Sequence, residues 1–135
     1  MITPVEIKTI LDTLGTLGLL TVGNMPASPD VIGTIYEYGG QSIERQFGQS
    51  GIRYERPALQ IVFRGAPEDY IGPRNKAEIA WRYLASINPG PLSVGITTEY
   101  LMVTPQQRPF PMAPPDNNKR HMIGFNMYIS KGLSV

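Results

Sequence analysis

The chain has 135 residues, no cysteine, a formal net charge of +1 and only 17% charged side chains. That length fits one domain with its own core. The missing thiols exclude a disulfide framework and thiolate chemistry, and the near-zero charge argues against a dedicated nucleic-acid binder that works by neutralising phosphates. Fourteen glycines and thirteen prolines point to many turns rather than to disorder. Met1–Lys8 lacks the basic and apolar regions of a signal peptide, and no stretch approaches the roughly 18 apolar residues of a membrane span. The expectation is a soluble cytoplasmic product.

Thr3-Pro4-Val5-Glu6 reads as a helix start. Thr3 caps, Pro4 suits the first helical position, and Glu6 reaches back to close a capping box. Ile7, Ile10, Leu11 and Leu14 then share one face, and Gly15 or Gly18 ends the helix. Gly23–Pro29 is a turn-rich connection. Val31–Tyr38 alternates like a strand and is stopped by Gly39-Gly40, after which the polar Gln41–Gly51 reads as a long loop. Ile52–Phe63 resumes strand character, with Pro57 at a strand start, bulge or edge. Gly65–Pro73 is a further connection. A second helix over about Arg74–Ile87 presents Ala77, Ala80, Leu84 and Ile87 inward, and Asn88-Pro-Gly-Pro91 ends it. Two strands, Thr97–Thr104 and Met122–Ile129, flank the Pro-rich connection Pro105–His121.

The order helix, strand, strand, helix, strand, strand predicts a single α+β domain over residues 1–135. Its architecture is two-layered, an antiparallel sheet of about four strands with two helices packed on one face. Two inter-strand loops of a dozen residues or more exceed the usual hairpin length, and such loops are commonly functional.

Catalytic chemistry has little material. His121 stands alone, with no second histidine or cysteine to complete a metal site. No Gly-x-Ser-x-Gly elbow is present, and the Gly-rich spots Gly39-Gly40 and Gly48-Gln-Ser-Gly51 match no phosphate-binding fingerprint. Glu68-Asp69 precedes a helix, where negative charge suits the dipole. Arg45, Phe47, Arg53, Tyr54 and Arg56 interleave cations with aromatics, but Glu44 and Glu55 dilute them. No catalytic residue, cofactor or metal ligand is assigned.

The better material is for contact between proteins. Phe110 and Met112 are large apolar groups in the Pro-stiffened Pro109–Pro115, where pre-ordering lowers the entropy lost on docking. The alternative is that Phe110 folds onto its own core. Arg45, Phe47 and Arg53 are the candidates in the second loop, facing a partner or a lumen. Residues 1–50 carry two basic and five acidic side chains, and residues 101–135 carry four basic and one acidic. That asymmetry suits copies meeting head to tail, although charge scatter of this size is common in soluble domains and is the favoured reading of the charges taken alone.

Tyr100-Leu-Met-Val-Thr-Pro105, Gln107-Arg-Pro-Phe110, the polar turn Asp116–Arg120 and Ile123-Gly-Phe-Asn-Met-Tyr128 resemble the C-terminal half of a family of small bacteriophage proteins. These are the minor capsid or tail terminator (tail completion) proteins of tailed phages. The resemblance spans residues 58–131 in sequence character and most of the chain in order of elements. It implies a structural virion protein, made in the host cytoplasm, that forms a hexameric ring at the head-proximal end of the tail. Such a ring caps the tail tube and offers a surface to head-completion or connector proteins, while DNA passes through its lumen without specific binding. It implies no enzymatic activity and no membrane contact. Within the same class the alternative is a head-completion or connector subunit on the portal side. From another class it is a small ligand-binding or enzymatic α+β domain anchored by His121 and Glu99.

Overall fold

The computed structural model describes the backbone of residues 4–45, 52–87, 90–94 and 97–134, with side chains within 4–37, 58–87 and 104–129. Its elements are α1 (Pro4–Asp12), β1 (Leu20–Val22), β2 (Ile32–Arg45), β3 (Ile52–Pro67), α2 (Ile71–Ala85), β4 (Gly90–Val94), β5 (Thr97–Pro105), β6 (Phe110–Ala113) and β7 (Arg120–Ser134). The α+β class follows, with two helices on one mixed sheet.

Both helices form where their apolar stripes demand. In α1, Ile7 and Leu11 are buried, with Ile10 and Leu14 packed at the margin of the core. On its outer side Lys8 pairs with Asp12 at 2.7 Å. The Thr3 cap and the Glu6 side chain lie outside the described residues. Gly15 and Gly18 follow the helix with φ of 69° and 72°, left-handed conformations that glycine adopts without a Cβ penalty. In α2, Pro73, Ala77, Ala80 and Leu84 face inward. The helix starts one turn earlier than its apolar spacing suggests. Asp69 Oδ1 accepts the Gly72 N–H at 2.9 Å and so satisfies one of the free donors of the first turn.

The sheet runs β1-β2-β3-β7-β5-β4, with β6 also paired to β7. The four long strands β2, β3, β5 and β7 are those expected from sequence, and their mutual pairings are antiparallel. Three short strands are added. Of these, β1 pairs with β2 in parallel, which makes the sheet mixed rather than purely antiparallel.

Register assigns the faces. Ile35, Ile61 and Phe125 stand abreast, as do Phe63 and Ile123, and Leu59 and Met127. These side chains join Ile7 and Leu11 of α1 and Ala77, Ala80 and Leu84 of α2 in one buried cluster. Both helices therefore cover the same face. Each large apolar side chain so buried contributes about 1.5–3 kcal/mol relative to exposure. The alternate positions, among them Thr34, Tyr36, Gln60, Val62, Gly124, Asn126 and Tyr128, form the opposite, helix-free face.

Three expectations are corrected. Gly39-Gly40 does not stop β2. The pair sits at a register shift between Tyr38 and Gln41, as in a bulge, and the strand resumes through Gln41, Glu44 and Arg45. Gln41–Arg45 is therefore strand and not part of a long loop, because pairing with Arg53–Arg56 outweighs its polar composition. β3 likewise continues to Pro67, leaving a short link to α2.

Gly124 lies between Val62 of β3 and Phe110 of β6. A Cβ there would run into the Ile61 carbonyl and the Val62 Cα. Gly124→Ala should lower unfolding stability by about 1–3 kcal/mol, as overpacking does, measured by urea denaturation. An unchanged midpoint would contradict this strand spacing.

Candidate interaction surface

The Pro-rich connection is not a free excursion. After β5 pairs with β7 from Leu101↔Lys131 to Pro105↔Met127, the Gln106 N–H donates to the Asn126 carbonyl at 3.0 Å. β6 then takes up the same edge of β7, with Phe110 opposite Gly124 and Pro111 opposite Ile123. Among the described residues no strand pairs with the outer edge of β6. Proline is tolerated on such an edge because no partner requires its missing N–H. The free part of the connection shrinks to Pro114–Lys119. There Asp116 and Lys119 close a turn (Lys119 N–H to Asp116 carbonyl, 2.8 Å), as the polar Asp-Asn-Asn-Lys sequence suggests.

This path decides where Phe110 and Met112 go. Phe110 stands in line with Gly124 and Val62, on the helix-free face, and is outside the main core cluster. A register shift between Pro111 and Ala113 makes Met112 the extra residue of a bulge, a device that re-aims a side chain. Its sulfur lies 3.8 Å from Gln60 Nε2, which also donates to Asn126 Oδ1 at 3.0 Å. Both apolar side chains are half-buried. With Tyr36 and Tyr128, also half-exposed, they give this face an aromatic and amide surface.

Between the two strands, the arc Gln107–Pro109 bends toward α2. Pro109 is buried, and the Arg108 guanidinium lies over the Trp81 ring, 5.2 Å from its centroid. Arg108 Nη1 is also 3.7 Å from Glu78 Oε1. Glu78 already accepts from Arg74 Nη1 and Arg82 Nε, each at 2.9 Å. Those two hydrogen bonds, Arg74 first, hold the Glu78 carboxyl below the usual glutamate range. Among the described residues the buried Trp81 Nε1 finds no acceptor.

A second constellation, two buried arginines, has no counterpart in the sequence reading. Arg64 is 4% exposed and Arg120 6%. Arg64 donates to the carbonyls of Asp30, Pro26 and Pro29 at 3.0, 2.7 and 2.7 Å. Arg120 donates to the Ala27 carbonyl at 2.8 Å, to Asp30 at 3.1 Å and to Asp116 Oδ2 at 2.9 Å. Together they bind the Pro26–Asp30 crossover and the turn before β7 onto the sheet. Burial, then the neighbouring Arg120 charge, lowers the Arg64 pKa, with Asp116 and Asp30 opposing. The Arg120 amide is the main reason the Asp116 carboxyl lies below its ordinary value. Burial opposes that shift, while the Arg120 guanidinium and the Asn118 amide reinforce it.

The remaining candidates separate. Arg45 and Arg53 are directly opposite each other in the β2–β3 register, strand residues rather than loop residues, and Phe47 lies outside the described residues. His121 meets the Tyr70 ring edge to face at 5.4 Å. Glu99 is opposite Leu92 in the β4–β5 pair, beyond the Leu101↔Lys131 end of the β5–β7 pairing, whereas His121 is at the opposite end of β7. Among the described residues no group of three or more His, Asp or Glu is placed to hold a metal ion. No protein-family model matches the chain, and no curated protein matches it.

Sequence reasoning missed Arg64, Arg120 and the Arg108–Trp81 contact. Arg64 directly follows the apolar run Ile61–Phe63, and a charged residue in such a place signals a partnered buried cation. Two outcomes follow. Trp81 is the sole tryptophan, so Arg108→Gln should change its emission while far-ultraviolet circular dichroism stays constant. The loss in stability should be about 0.5–1 kcal/mol, as for an exposed cation–π contact; unaltered emission would place Arg108 elsewhere. Asp116, with its lowered folded-state pKa, contributes stability that is complete above the ordinary aspartate value and fades as pH falls through the folded value. Acid unfolding below about pH 4 should therefore be blunted in Asp116→Asn, which lacks this titration. Parallel pH–stability curves for the two proteins would refute that contribution.

Proposed function

We propose that the chain is a structural assembly protein of the tail terminator type, a subunit of a ring that caps a phage tail tube and receives head-completion or connector proteins. The reading assigns it no catalytic group and no cofactor. The observation that carries it is the strap Gln106–Ala113, which holds Phe110 and Met112 half-exposed on the helix-free face. Across the sheet, α2 exposes Ile71 and Ile79. A subunit with two unlike contact surfaces on opposite sides suits the heterologous interfaces of a ring. The resemblance in residues 58–131 supplies the setting.

The decisive experiment adds purified protein to tail-tube protein as it polymerises. A terminator stops growth and caps tubes at one end, seen by negative-stain microscopy, whereas a portal-side connector leaves tube length unchanged. Phe110→Ala with Met112→Ala should weaken capping at least tenfold, and Arg45→Glu should impair ring formation or head joining. If both variants still form rings and restore tail length and head joining, neither segment is an assembly contact.

A further inference from the structure

Three guanidinium groups converge on one carboxylate. Arg74 and Arg82 flank Glu78 one helical turn to either side on α2, and Arg108 arrives from the strap. Glu78 is 19% exposed, whereas the Arg82 and Arg108 side chains are 69% and 68% exposed. A single carboxylate among three cations leaves an excess of two positive charges. It also leaves most guanidinium N–H groups unused, since each group carries five donors in a planar fork. Arg108 is held in place by the Trp81 ring, so less rotamer freedom is lost when it meets an anion.

We infer that Arg74, Arg82 and Arg108 form a docking point for protein carboxylates, and that these are supplied by the acid-rich N-terminal region of a second copy of this chain. Residues 1–50 carry five acidic and two basic side chains. Glu37 is exposed there, as is Asp12, whose 2.7 Å pair with Lys8 is a surface ion pair of little net value, whereas Asp30 is engaged with the buried Arg120. A nucleic acid is the poorer occupant. The cluster keeps its own carboxylate at its centre, and the whole chain carries a net charge of only +1, too little for a surface that works by counterion release. Opposite charges on different parts of one subunit produce a head-to-tail contact, which closes into a ring or continues as a filament. The choice of a second copy as occupant rests on the assembly reading above; the arginine cluster does not.

Sedimentation velocity of the full chain tests this. Wild type should self-associate at low salt and lose at least tenfold in affinity at about 1 M salt, where the screening length falls to about 3 Å. Arg82→Glu/Arg108→Glu should remain monomeric where wild type assembles, with an unchanged circular dichroism spectrum. Arg82→Glu alone, on an exposed helix position, serves as a second variant if the pair unfolds. Asp12→Lys/Glu37→Lys should also be monomeric, and mixing it with the arginine variant should restore association. A monomeric wild type, salt-independent assembly or a fully assembling arginine variant would overturn the inference. So would binding of a single-stranded oligodeoxynucleotide that the arginine variant abolishes while self-association persists. Tube capping is scored separately. Charge-dependent association without capping removes the terminator reading and leaves the inference standing. Capping by an arginine variant that still assembles does the reverse.

Discussion

The rest of the molecule depends on β7 having a partner on each edge. Its backbone N–H and C=O groups need partners wherever water is excluded. β3 supplies one edge over nearly the full length of β7, and β5 followed by β6 supplies the other. The connection between β5 and β6 is therefore tied at both ends to a single strand. It has only Gln106–Pro109 with which to bulge out and return. That short arc places Arg108 against α2, and the return into register places Phe110 and Met112 on the opposite face. One strand's pairing requirement thus fixes contacts on both sides of the sheet.

The same constraint explains the prolines. In a free loop, Pro109, Pro111, Pro114 and Pro115 would only stiffen the chain. On the outer edge of β6, Pro111 also withholds an N–H donor from any strand that approaches, which protects a sheet from indiscriminate edge pairing. An assembly subunit built this way associates through side chains on its faces rather than by adding strands at this edge. The half-exposed aromatic and amide side chains of the helix-free face fit that mode.

Elements with a strong period were legible in the sequence. Ile7 and Leu11 in α1, and Ala77, Ala80 and Leu84 in α2, are buried as their spacing requires. The alternation from Leu59 to Phe63 and from Ile123 to Ile129 marks the core face of the two central strands. β1, β4 and β6 were not legible because three to five residues carry no readable period. Their existence is decided by an edge that a distant strand leaves open. Pro111 also masks β6, because proline is excluded from sheet interiors and tolerated at edges. Gln41–Arg45 was misread for a related reason, since polar residues pair as strand when their partner strand is already held in place by β7.

The arginines show most clearly why charge in a sequence does not declare its use. Arg64 and Arg120 direct their donors at carbonyls and carboxylates of their own chain. Removing either would break hydrogen bonds from a buried guanidinium to the chain's own acceptors, each contributing on the order of 1–3 kcal/mol as bonds involving a charged group do. These two arginines are structural, buried with their donors turned onto their own chain. Arg82 and Arg108 are the opposite case. They share one carboxylate oxygen and keep their remaining donors toward solvent, so an arriving carboxylate displaces only water. Residue type is identical in all four positions. The difference lies in how many donors the fold has already used, a quantity set by the path of the strap and of the Pro26–Asp30 crossover rather than by local sequence. The Pro-rich connection therefore matters twice, as the carrier of Phe110 and Met112 and as the element that brings a third cation to a helix already holding two.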